Sequence, residues 1–214
     1  MRKYIVFFAA LFLAGCNRAA PVQPPVPVNK DKVVEGEEIS KNPFKAIDQV
    51  GKLADKMAAL QKEIEAMKPV DPVPFDKLLP LLPAAPAGYK GEEPTGETVE
   101  FGEFKHSMVE RRYAMDEGKT VSVKIHDAAN ISAFYAAVAA WSMLKREGTD
   151  GYEKGVTIDG NPGVEKYQKA TQTGQLTVMV AKRHLVDIEA NGVPQDFVRK
   201  VYGSMDLKKL SSLK

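Results

Sequence analysis

Thr120-Val121-Ser122-Val123-Lys124-Ile125-His126 decides how the chain reads. Val121, Val123 and Ile125 alternate with Ser122, Lys124 and His126, a period of two that belongs to a strand with one buried and one wetter face. Upstream, Phe104 to Met115 is a long candidate strand, and Asp116-Glu117-Gly118-Lys119 supplies a hairpin turn between the two. Downstream, Tyr152 to Ile158 and Val164 to Ala170 flank Asp159-Gly160-Asn161-Pro162-Gly163, which is dense in turn residues. Leu176, Val178 and Val180, then Val186, Ile188 and Ala190, mark two more alternating strands joined near Lys182-Arg183. Between the two strand groups, Asn130 or Ser132 caps a helix lined by Ile131, Phe134, Val138 and Trp141, with Lys145-Arg146 in its last turn and Gly148 just beyond. A closing helix starts at Pro194 and runs through Phe197, Val198 and Val201 to Tyr202-Gly203, before a short apolar tail of Leu207, Leu210 and Leu213. Hairpin-length connections pair neighbours antiparallel, so residues 95–214 are expected to form an α+β domain, an antiparallel β-sheet packed with helices.

A long N-terminal amphipathic helix precedes that domain over residues 42–69. Asn42 is a capping residue, Pro43 suits the first helical position, and Lys68-Pro69 gives a basic end and a stop. Within it Val50, Leu53, Met57, Leu60, Ile64 and Met67 recur at alternating spacings of three and four, the seam of a coiled coil. Ala54, Ala58, Ala59 and Ala66 widen the same stripe, so two uses stand open: a homo-oligomer through the seam, or packing on the chain's own domain. Residues 70–94 form a Pro- and Leu-rich connector. Phe75, Leu78, Leu79, Leu81 and Leu82 are too apolar to leave in water, and the interleaved prolines forbid a long helix, so a short turn followed by extended chain over the core is expected.

At the other end, Arg2-Lys3, the apolar run Tyr4 to Leu13 and the small residues Ala14-Gly15 describe a secretory signal over residues 1–15, too short to span a bilayer. The only cysteine follows directly, and Leu13-Ala14-Gly15-Cys16 resembles the lipobox of bacterial lipoproteins. The resemblance implies cleavage before Cys16, a diacylglyceryl thioether on its sulfur and an acyl chain, such as palmitate, on its amine. Several buried acyl chains hold a protein on a membrane stably where one does not. Asn17 rather than aspartate after the cysteine points toward the outer membrane, facing the periplasm. Residues 16–41, with Pro21, Pro24, Pro25 and Pro27 and then mixed charge from Lys30 to Glu38, read as a tether.

With Arg2 and Lys3 removed, 28 basic residues face 28 acidic ones, a balance that offers no basic footprint for nucleic acid. With Cys16 committed to lipid, neither a disulfide nor cysteine catalysis is expected. No Gly-x-Ser-x-Gly, His-Glu-x-x-His or phosphate-loop pattern occurs, so no catalytic residue, cofactor or metal is assigned. His106, His126 and His184 fall on different strands without ligand spacing, so a metal site among them would depend on proximity that only the fold could supply. His126-Asp127, at the mouth of a strand leading to a helix, is the most suggestive pair. Its plain reading is a surface histidine followed by a residue that caps a loop; its functional reading is a ligand or partner contact, or an enzyme cleft shared with the Asp159–Gly163 turn. Glu110, Arg111 and Arg112 are candidates to touch an acidic partner or a lipid headgroup.

Leu82-Pro83, Pro86-Ala87-Gly88-Tyr89, the strands ending at His126-Asp127, the Ile158-Asp159-Gly160 turn and Asp206-Leu207-Lys208-Lys209-Leu210 look like a set of uncharacterised bacterial envelope lipoproteins. The element order is similar to the PsbP-like α-β-α sandwich. That resemblance implies a structural, binding or accessory role in the cell envelope with a protein or envelope partner, and it carries no catalytic residues.

Overall fold

The computed structural model describes residues 33–35, 42–102, 104–127 and 132–214. The signal segment, Cys16, Asn17, the proline run of the tether, Asn130 and Ile131 lie outside the described residues. In chain order these form β1 (Val33–Glu35), α1 (Pro43–Ala66), α2 (Phe75–Leu78) running into a 3-10 turn at Leu79–Leu81, β2 (Lys90–Gly91), β3 (Thr95–Phe101), β4 (Phe104–Met115) and β5 (Lys119–Asp127). There follow α3 (Ser132–Trp141), β6 (Lys145–Gly148), β7 (Gly151–Ile158), β8 (Asn161–Gln168), β9 (Thr173–Val180), β10 (His184–Asn191), α4 (Phe197–Gly203) and α5 (Leu207–Ser212).

The strands make one antiparallel sheet in the order β1-β7-β8-β9-β10-β5-β4-β2, with β3 also on β4 and β6 also on β7. Two meanders, β3 to β5 and β6 to β10, meet where β10 pairs with β5, Ile188 opposite Val123. The fold is α+β, as the alternation implies. Val121, Val123 and Ile125, Leu176, Val178 and Val180, and Val186, Ile188 and Ala190 all point to one face. The connector residues Val73, Leu78, Leu81 and Leu82 cover that face together with Val198, Val201 and Tyr202 of α4 and Leu210 of α5. Burial of this shared apolar area is the main favourable term in the fold. The connector therefore belongs to the core, and the Tyr113 hydroxyl donates to the Pro83 carbonyl to fasten its far end.

The opposite face carries a smaller apolar cluster in which Tyr135, Val138 and Ala139 of α3 and Leu60 of α1 pack on Met179, with Ile64, Met67 and Leu185 at its rim. Asn42 caps α1 by accepting from the Phe44 and Lys45 amides at 3.0 and 3.4 Å. The seam residues divide along α1: Leu60 is buried, Leu53, Ile64 and Met67 are half-buried, and Val50 and Met57 are exposed. Glu63 accepts from the Tyr135 hydroxyl and from Lys182 in the β9–β10 turn.

The structure differs locally from the sequence expectation in four places. The central helix stops at Trp141, and Lys145-Arg146 enter β6, because the Gly155 amide on β7 donates to Leu144 O and draws the chain onto the sheet. Only glycine allows that approach, since a Cβ on Gly155 would lie 1.9 Å from the Ser142 carbonyl oxygen. Tyr135 rather than Phe134 faces inward, and Trp141 is exposed. The β7–β8 turn is only Asp159-Gly160, with φ of 51° and 81°, so β8 begins at Asn161 rather than Val164. Finally, Val33–Glu35 within the expected tether pair with Ile158–Val156 on β7.

Candidate functional site

Continuing the β5 alternation by one step turns Asp127 toward the apolar face, and the β10 alternation does the same for His184. Register then sets Ser107, Asp127 and His184 side by side on β4, β5 and β10. All three are fully buried. A buried carboxylate must find donors, and Asp127 accepts from the Val73 amide at 2.7 Å and from Arg183 Nε and Nη2 at 3.1 and 2.9 Å. Arg183 Nη2 also donates to Asp71 O at 3.0 Å. Two groups 56 residues apart thus hold the Asp71–Val73 segment against the end of the sheet.

The residue types Ser, Asp and His invite comparison with a catalytic triad, but the roles do not fit. Asp127 stands between Ser107 and His184, and Ser107 Oγ shares a hydrogen bond with Thr98 Oγ1 at 2.8 Å, with no imidazole to take its proton. Among the described residues His184 has no hydrogen-bond partner on either ring nitrogen, and its Nε2 lies 3.7 Å from Asp127 Oδ2. Burial lowers its pKa to about 4 against the pull of Asp127, and Arg183 adds to the depression, so the ring is neutral near pH 7.

A second charged cluster lies on the same face toward the β7 edge. Glu165 is buried on β8 and accepts from Tyr152 Oη at 2.8 Å and from Arg199 Nε of α4 at 2.7 Å. Glu35 on β1 joins it, accepting from Lys154 Nζ at 2.6 Å and from Arg199 Nη2 at 3.3 Å. The hydrogen bond from Lys154 holds the Glu35 carboxyl below its ordinary range, burial opposing and Arg199 assisting. Burial, followed by the adjacent Glu165 carboxylate, pushes the Tyr152 hydroxyl well up.

The sequence-selected residues separate in space. His126 points away from Asp127, onto the other face, where its Nδ1 lies 3.1 Å from His106 Nε2. Burial and then His106 lower its pKa. Glu110 and Arg112 share that face, Arg112 Nε and Ser122 Oγ both donating to Glu110 Oε1 at 2.9 Å. Arg111 lies on the inner side, donates to Glu92 O at 3.0 Å and sits over the Tyr113 ring. The Asp159–Gly163 turn is beside the β9–β10 turn, where Asn161 Oδ1 accepts from the Ala181 amide. Along the sheet order it is three strands, about 14 Å, from Asp127.

No family model, curated protein or solved structure matches the chain.

Proposed function

We propose that the protein is a lipid-anchored lipoprotein of the bacterial cell envelope whose α+β domain serves a binding or structural role without catalysis. The observation that carries the reading is Leu13-Ala14-Gly15-Cys16, with the chain's single cysteine directly after the small residues. The arrangement of buried charge accords with it. Asp127 with Arg183, and Glu165 with Arg199, hold the Asp71–Val73 and Glu35 segments, both of which lead back toward Cys16. A domain that grips the chain running to its anchor is presented to partners in a set orientation. Among the described residues no helix is long and apolar enough to cross a membrane. The envelope assignment, the outer-membrane location and the likeness to a PsbP-like sandwich belong to the same reading.

Metabolic labelling with palmitate tests it. The wild-type chain should incorporate label and shorten, and Cys16→Ser should remain an unlabelled, uncleaved precursor. Label retained on the serine variant overturns the reading.

A further inference from the structure

The outer face of the sheet gathers three ligating side chains that the anchored-module reading does not use. His106 and Met108 are two apart on β4 and so share a face, and Met108 is the direct cross-strand partner of His126 on β5. Directly opposed residues have Cβ atoms roughly 5 Å apart, a spacing that a methionine thioether can span to reach the imidazole. The two rings stand with His106 Nε2 and His126 Nδ1 3.1 Å apart and centroids separated by 5.4 Å.

We propose that His106, Met108 and His126 form a binding site for copper(I). Two imidazole nitrogens bound to one metal at about 2.0–2.1 Å in near-tetrahedral geometry are roughly 3.3–3.4 Å apart, so the rings stand within a few tenths of an ångström of the spacing of a ligand pair. Binding requires the ring that now donates its N–H to move that proton to its far nitrogen, a tautomer change that leaves the charge unaltered, and both lone pairs to turn toward a common point. All three side chains are half-buried, open enough to admit an ion and sheltered enough to favour contact over hydration. Glu110 and Asp187 place negative charge near His126, against Lys124. The thioether selects the metal: imidazole suits several transition ions, whereas methionine sulfur favours soft copper(I) over zinc and over hard, oxygen-seeking ions. Among the described residues no trio of His, Cys, Asp or Glu forms a metal cluster.

The test is titration of the purified full chain with copper(I) against a chromogenic chelator, in parallel with zinc(II). The wild-type protein should take up one copper(I), with affinity weakened at least about tenfold in Met108→Leu and further in His126→Ala. Met108→Leu should leave zinc(II) binding unchanged. Leucine nearly matches methionine in volume, so this variant keeps its fold, and its result stands whether or not His126→Ala folds. Both variants share every other sulfur with the wild type. A wild-type chain that takes up no copper(I), or a Met108→Leu titration that superimposes on the wild type, overturns the site.

Discussion

The two charged clusters on the inner face differ in how completely they are sealed. At one end of the sheet the Asp127 side chain is 0% exposed and Arg183 15%. At the β7 edge Glu165 is 2% exposed, but Arg199 is 22% and Glu35 40%. The first carboxylate is fully buried and held by the Val73 amide and Arg183. The second can exchange Glu35 for solvent and leave Glu165 still held by Arg199 and Tyr152. Similar residue types therefore play unequal parts: Asp127 is required by the fold, and Glu35 is an optional clip on a three-residue strand.

The contrast predicts a graded series. Asp127→Ala should cost about 3–5 kcal/mol, because it strands the Arg183 guanidinium and the Val73 amide in a buried site. Chemical denaturation measures it, and a loss under about 1 kcal/mol would mean that the cluster is wetter than its burial implies.

The next effect depends on pH. His184 is neutral in the fold with a pKa of about 4, whereas in the unfolded chain it binds a proton at the ordinary histidine value of 6.5. Between these values the unfolded state holds more protons, so stability falls as pH drops from about 6.5 to 4, by roughly 3 kcal/mol in all. His184→Gln should flatten that part of the profile in urea titrations at pH 5 and 7.5. An unchanged slope would place the titration elsewhere.

Glu35→Gln should have the smallest effect, below about 1 kcal/mol, since the ion pair is partly solvent-screened. The same denaturation series reads it, and a loss as large as that of Asp127→Ala would erase the distinction between the clusters.

Much of the sheet was legible because side chains on a strand must alternate. Val121 to Ile125 and Val186 to Ala190 each announce a buried face, and Phe104–Met115 matches β4 end to end. The same rule could have found the Asp127 cluster, since Asp127 and His184 continue those alternations by one step onto the apolar side. Pairing His126 with Asp127 on sequence adjacency works against that rule, because neighbours on a strand face apart. Other features depended on register and long-range contact, which local pattern does not carry. Arg183 meets Asp127 across 56 residues, His106 meets His126 only once β4 and β5 are aligned, and β1 borrows its partner from β7. The β6 strand was hidden for another reason: Lys145-Arg146 suit a helix end as well as an edge strand.

Hydrogen exchange at the Val73 amide reads the sealed grip most directly, because that N–H donates to Asp127 outside any strand ladder. In the wild-type protein it should exchange within about tenfold of the slow Val186 and Ile188 amides at the centre of the sheet. Exchange of Val73 at the rate of a free peptide, while those sheet amides stay protected, would contradict the account.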